Sequence, residues 1–152
     1  MDAPAKNVAI LGSTGSIGTS ALDVIADAEG SLRAIALIGH SSLYLLREQA
    51  DRFRPKWVVA SAADPGGAAG WSDPPGDTQL LCGPDALDFV ATRDEVHVVL
   101  AAIVGSAGLR STWAAIEAGK TIALANKETM VVAGPLVKRL AARTGSRILP
   151  VD

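Results

Sequence analysis

Cysteine is almost missing from this chain: Cys82 stands alone among 152 residues. One thiol excludes an intramolecular disulfide and argues against a cysteine-built zinc site, and it suits a reducing compartment. Excess charge is missing too. A formal net charge of -2 offers no basic surface to a nucleic acid, so attraction for a polyanion has to come from a local arrangement. Long apolar runs are also lacking. The opening "MDAPAKNVAILGSTG" has no signal-peptide core, and the most apolar run, 98–104, is too short to cross a bilayer. A cytoplasmic protein with no membrane partner is the expectation.

What is present is a chain with 49% hydrophobic and 20% charged residues, which reads as one folded domain rather than a disordered segment. Apolar β-branched runs alternate with helical patterns. Strands are expected at 7–11, 33–38, 56–60, 78–82, 96–103, 121–125 and 147–151, the fourth weak and the fifth the strongest. Between them lie helical stripes: Ile17, Ala21, Val24, Ile25 and Ala28; then Leu43, Leu46, Ala50 and Phe53, stopped by Pro55; a short helix over 85–90; and Leu109, Thr112, Trp113 and Ile116, ended by Gly119. Gly134-Pro135 interrupts the last helical pattern, predicting a short helix and then a second with Pro135 in its first turn. The order predicts a doubly wound α/β fold: a mostly parallel sheet of about six to seven strands, with helices on both faces. The segment 62–77, rich in Gly, Pro and Asp, fits no element and is expected to be a solvent loop in place of a covering helix.

The stretch "ILGSTGSIGTSALDVI" sets Gly12, Gly15 and Gly18 where the first strand turns into the first helix. In a doubly wound fold a dinucleotide diphosphate lies there, over the helix N-terminus. Gly12 would permit the turn, Gly15 would let amides approach phosphate oxygens, and Gly18 would let the helix lie close on the sheet. Ser13, Thr14 and Ser16 add hydroxyl donors. The spacing G-x-x-G-x-x-G differs from the usual fingerprint, and a turn whose glycines serve packing alone remains open. A phosphate loop of the NTPase kind is excluded, because no Gly-Lys-Ser/Thr follows.

After the second strand, where an NAD enzyme usually carries Asp or Glu, the sequence is "IGHSS". His40, Ser41 and Ser42 can donate hydrogen bonds to a 2′-phosphate that a carboxylate would repel, which favours NADP over NAD. An ordinary helix cap beside a surface histidine is the alternative. Later, Asn126, Lys127 and Glu128 follow the sixth strand at its carboxyl end. Asn126 and Glu128 suit a helix start, but Lys127 opposes the helix dipole and makes better sense facing a bound anion.

Together "ILGSTGSIG", "AAIVGSAGL", "LANKETMV" and the terminal "LPVD" resemble, in order, the N-terminal domain of the 1-deoxy-D-xylulose 5-phosphate reductoisomerase family, from residue 7 to the end. The segment 62–78 departs most. The resemblance implies a Rossmann-like NADPH-binding domain over residues 1–152, with the family's catalytic and C-terminal domains absent. It implies an enzyme that isomerises 1-deoxy-D-xylulose 5-phosphate and reduces the aldehyde to 2-C-methyl-D-erythritol 4-phosphate in non-mevalonate isoprenoid synthesis. NADPH, Mg²⁺ or Mn²⁺, and a homodimer of the full-length enzyme come with it. On this chain Thr14, Gly15, Ser16 and Ile17 would cradle the cofactor diphosphate, and Gly12 and Ser13 of the same turn stand beside them as cofactor-binding candidates. Asn126 and Glu128 would also touch the cofactor, and Ala102 and Ile103 would line its cleft. Lys127 is implied as a substrate contact and Asp152 as a metal ligand, with no catalytic residue in this stretch. His40, Ser41 and Ser42 replace the Gly, Lys and Asn that the family often carries near the 2′-phosphate. The isolated chain is expected to bind NADPH and to be inactive. Two rival readings are a semialdehyde-type dehydrogenase domain, which would need a nucleophilic cysteine, and a free-standing NAD(P)-binding regulator.

Overall fold

The computed structural model describes residues 3–62, 71, 73–104, 108–125 and 127–151. The described residues form seven strands and five α-helices in strict alternation except at one connection. The order is β1 (Lys6–Leu11), α1 (Ser16–Asp27), β2 (Leu32–Gly39), α2 (Leu43–Phe53), β3 (Trp57–Ala60), β4 (Gln79–Cys82), α3 (Asp85–Ala91), β5 (Val98–Ala101), α4 (Leu109–Glu117), β6 (Thr121–Leu124), α5 (Lys127–Thr144) and β7 (Arg147–Pro150). The strands build one sheet in the order β4-β3-β2-β1-β5-β6-β7, with every pair parallel. Parallel neighbours need a crossover, and each right-handed crossover carries its helix to one face. The chain therefore winds outward from β1 in one direction, returns, and winds outward in the other.

Side-chain alternation along each strand separates two cores. Val8 and Ile10 join Leu22, Ile25, Leu46 and Ala50 of α1 and α2. Ala9 and Leu11 face the other way, with Leu87, Val90, Ile116, Val137 and Leu140 of α3, α4 and α5. The strands β1, β2 and β3 thus have helices on both faces. Among the described residues no helix lies over β5, β6 and β7 on the α1 side, so the cover on both faces that the sequence pattern suggested is complete over half the sheet. Leu149, 43% exposed, shows the bare side.

Helix ends follow local chemistry. Arg54 takes a left-handed φ of 49° after α2, ahead of Pro55, and Gly119 (φ 76°) closes α4. Within α5, Ala133 leaves helical geometry (φ −131°, ψ 19°) two residues before Pro135. Proline has no amide for the preceding turn, and the expected break into two helical pieces is realised as this kink.

Two expectations need correction. The apolar run 96–103 is not the dominant strand: only Val98–Ala101 is extended, while β2 is twice as long. Val96 is drawn back into a turn by its N–H bond to the Arg93 carbonyl (3.0 Å), and beyond Ala101 the chain leaves the sheet. The segment 62–77 is also more than a solvent loop. Trp71 is buried in the α1–α2 core, under the Arg47 guanidinium at 5.4 Å from the ring centre. Residues 63–70 and 72 lie outside the described residues. Among the described residues no helix is long and apolar enough to cross a membrane.

Candidate functional site

The turn from β1 into α1 is built almost entirely of main chain. Gly12 has φ 95°, and a side-chain carbon there would meet the Ala102 carbonyl oxygen at 2.8 Å. Any other residue would be strained and would also push β1 from β5. Gly18 lies under the same turn, where a side-chain carbon would strike the Gly12 carbonyl and come within 2.6 Å of the Ser13 Cα. Gly15 is different. Its backbone is extended (φ −82°, ψ 176°), and the nearest atom to an added carbon is the Gly12 carbonyl oxygen at 3.6 Å. What Gly15 leaves open is space outside the protein.

Gly12 and Ser13 both donate to the Ile38 carbonyl at 2.9 Å, and Gly15 donates to Gly12 at 3.2 Å. The Gly15 amide is therefore spent inside the turn, contrary to the simplest reading of a glycine cradle. The amides of Thr14, Ser16 and Ile17 have no acceptor among the described residues. No side chain caps α1, and its first turn holds no acidic residue. An uncompensated helix N-terminus with outward amides attracts an anion. Ser13, in contrast, is fully buried, and its hydroxyl faces inward, away from any ligand.

Strand register brings the remaining candidates to the same edge. Leu11 pairs with Ile38 and Ala101, and Ala101 pairs with Leu124, so the strands end level at their carboxyl ends. The residues that follow each strand share that rim, across β2, β1, β5 and β6. At about 4.8 Å per strand the rim from His40 to Lys127 is roughly 14 Å wide. It straddles the point where the strand order reverses, the usual ligand crevice of an open α/β sheet.

His40 is exposed at the end of β2, its Nδ1 2.9 Å from the Ser61 hydroxyl that follows β3. Ser41 and Ser42 are exposed, and Ser42, the N-cap of α2, makes no side-chain cap bond. The capping alternative is thereby weakened for Ser42. Arg47, one turn further, holds Asp51 at 3.2 Å while stacking on Trp71.

On the far side of the crevice Ala102 donates to Leu11 at 2.9 Å and abuts Gly12, with Ile103 half-buried beside it. Lys127 is exposed at the first position of α5, followed by Glu128 in its first turn. The structure thus gathers Gly12, Thr14, Gly15, Ser16, Ile17, Ala102 and Ile103, and sets His40, Ser41 and Ser42 on one flank with Lys127 and Glu128 on the other. Asn126 and Asp152 lie outside the described residues. Among the described residues no three His, Cys, Asp or Glu side chains cluster as a metal would require.

A groove of about 530 Å³ starts at Ser16 and Ile17 and runs down α1 over Val98, Leu100, Ala123 and Val151. It is the bare side of the sheet, with Val24 of α1 60% exposed along it.

Sequence reasoning missed Gln49 and Ser61. Gln49 is 6% exposed, and its Nε2 donates to the Ser13 carbonyl at 2.8 Å, bracing the glycine turn from α2. Its signal was a polar residue on the buried stripe of α2, one position before Ala50.

A family model described as 1-deoxy-D-xylulose 5-phosphate reductoisomerase matches residues 8–134. Curated relatives of that name include those of Rhodopirellula baltica, 47% identical over 98% of this chain and 36% of the relative, and Anaeromyxobacter dehalogenans, 48% identical over 97% and 37%. The chain therefore spans little more than a third of their length. Among solved structures, a DOX-P reductoisomerase with fosmidomycin and magnesium superposes with a TM-score of 0.91 at 42% identity, covering 97% of this chain and 37% of that one. The reductoisomerase of Zymomonas mobilis in complex with NADPH gives 0.86 at 37% identity, covering 97% and 39%. A homoserine dehydrogenase from Thiobacillus denitrificans, at 20% identity and 0.60 over 95% of this chain and 28% of that one, shares the fold alone. This agreement leaves no place for a semialdehyde-type dehydrogenase, and the chain belongs to the 1-deoxy-D-xylulose 5-phosphate reductoisomerase family.

Proposed function

We propose that residues 1–152 form the NADPH-binding domain of a 1-deoxy-D-xylulose 5-phosphate reductoisomerase. The observation that carries the reading is the set of unpaired amides at Thr14, Ser16 and Ile17, opening over Gly15 where the strand order reverses. These residues suit a dinucleotide: the amides take the diphosphate, and the Ser16 hydroxyl adds a donor. His40, Ser41 and Ser42 take the 2′-phosphate, with no carboxylate in that turn to oppose it. Ala102 and Ile103 wall the crevice next to Gly12, while Glu128 approaches the cofactor from the far side; Asn126 is assigned to the cofactor on the strength of the family alone. Lys127, a cation at the rim, contacts the substrate. When bound, NADPH supplies hydride equivalents; this chain's part is to hold and aim it.

In the whole protein the reading assigns conversion of 1-deoxy-D-xylulose 5-phosphate to 2-C-methyl-D-erythritol 4-phosphate, in the cytoplasm and as a homodimer, on the strength of the family. Asp152 is assigned there as one ligand of Mg²⁺ or Mn²⁺. Among the described residues no three His, Cys, Asp or Glu side chains gather to complete such a site.

Calorimetric titration of the 152-residue chain with NADPH and with NADH tests the reading. One site for NADPH, with weaker uptake of NADH, is expected. No binding of either would end it. With substrate, Mn²⁺ and NADPH present, the nicotinamide absorbance is expected to stay constant; steady oxidation would show that these residues hold the whole catalytic apparatus.

A further inference from the structure

Gln49 reaches from α2 to the glycine turn by a hydrogen bond, and its geometry bears on more than stability. Its Nε2 donates 2.8 Å to the Ser13 carbonyl. The Ser13 amide is bound at 2.9 Å to Ile38 on the other side. Both peptide groups flanking Ser13 are thus fixed. The peptide that joins Ser13 to Thr14 is trans, like all the described peptides, so its carbonyl and its N–H point in opposite directions. A carbonyl held inward by Gln49 obliges the Thr14 N–H to point outward, into the space above Gly15. That amide has no partner among the described residues.

The bond is one-sided. The Gln49 Oε1 and the Ser13 hydroxyl are buried and have no hydrogen-bond partner among the described residues. Leaving buried polar atoms unsatisfied costs stability, so apolar packing alone would be better served by Leu or Met at this position. A glutamine that tolerates an orphan oxygen in order to deliver one N–H to a loop carbonyl is matched to orienting that loop.

Resting on the NADPH reading above, we propose that Gln49 is a positioning residue for the cofactor diphosphate. It fixes the Ser13–Thr14 peptide so that the Thr14 amide faces a diphosphate oxygen. It touches no ligand itself and acts through the peptide. It also ties the helix that follows the 2′-phosphate flank to the turn that holds the diphosphate, so the two halves of the crevice are set against each other by one side chain.

The test compares wild type with Gln49→Met, which keeps the volume and removes the donor, and Gln49→Glu, which sets a carboxylate against the carbonyl. Two ligands are titrated: NADPH, and adenosine 2′-monophosphate, which lacks the diphosphate. Gln49→Met is expected to weaken NADPH roughly five- to tenfold, the effect of about one hydrogen bond, and to leave adenosine 2′-monophosphate unchanged. Gln49→Glu is expected to weaken NADPH further. Equal loss for both ligands would mean that α2 has merely shifted, and no loss would mean the bond is idle; either overturns the assignment. Wild type that takes up no NADPH overturns the parent reading, and this one with it. Should the variants not fold, amide NMR of wild type decides. The Thr14 proton is expected to move downfield and gain exchange protection on adding NADPH, and an unmoved Thr14 signal overturns the assignment.

Discussion

Gly18 and Ser13 touch backbone to backbone: a side-chain carbon on residue 18 would stand 2.6 Å from the Ser13 Cα, with the Gly12 carbonyl closer still. The first turn of α1 and the loop above it are therefore a single packed unit. Gly18→Ala is expected to destabilise the chain by about 1–3 kcal/mol, the usual cost of overpacking against atoms that cannot yield. Urea unfolding measures it, and an unchanged midpoint would mean the turn is far softer than its geometry.

Gly15→Ala should behave oppositely. The backbone is extended and the nearest atom is 3.6 Å away, so stability should change by less than about 0.5 kcal/mol. The added methyl occupies the face where the diphosphate would sit, and NADPH affinity is expected to fall by at least about tenfold, or 1.4 kcal/mol. Melting and titration on one preparation separate the two effects. Normal binding by this variant would remove the diphosphate from the turn.

Ser41→Asp tests the 2′-phosphate flank. A carboxylate there repels the extra phosphate of NADPH and is indifferent to NADH, so preference for NADPH is expected to drop by about tenfold or less at low salt. The difference should shrink as ionic strength rises. A loss shared equally by the two cofactors would place the 2′-phosphate elsewhere.

Lys120 carries a pH signature. It is 9% exposed, with its ammonium donating to the Arg93 carbonyl at 2.7 Å. Burial pushes its pKa below the ordinary 10.5; Asp94 opposes the shift and Arg93 adds to it. Between the folded value and 10.5 the unfolded chain binds more protons than the folded one, so stability rises with pH across that alkaline window. Urea midpoints taken up to pH 10.5 should show the rise, and Lys120→Met should flatten it. Parallel profiles for the two proteins would dismiss the effect.

Most of this architecture was legible because a parallel sheet writes itself as apolar runs, and all seven strands sit where those runs do. The kink at Ala133 was legible for a separate reason, since Gly134-Pro135 removes an amide that an unbroken helix needs. The length of β5 was not. Its apolar residues continue past Ala101 because Ala102 and Ile103 pack against the two cores after the strand has ended, and hydrophobicity cannot tell such packing from a strand. Trp71 was hidden for a related reason: a single anchor in a Gly- and Pro-rich segment has no period. At the site, Gly12 and Gly18 were legible through sterics. The inward turn of Ser13 was not, because Ile38 and Gln49 hold it from another part of the chain, and the spent amide of Gly15 was not, because its bond to Gly12 depends on the path the turn takes.

The shared direction of the strands has a consequence for assembly. Parallel partners are never sequence neighbours through a hairpin, and β1, the central strand, gains β5 only from residues far along the chain. Gly12 leans on Ala102, whose amide binds the Leu11 carbonyl, so the glycine turn has no finished wall until residues some ninety positions later arrive. Slow, long-range pairing of this kind sets the pace of folding. During synthesis the first forty residues hold all the letters of the glycine turn and none of its shape.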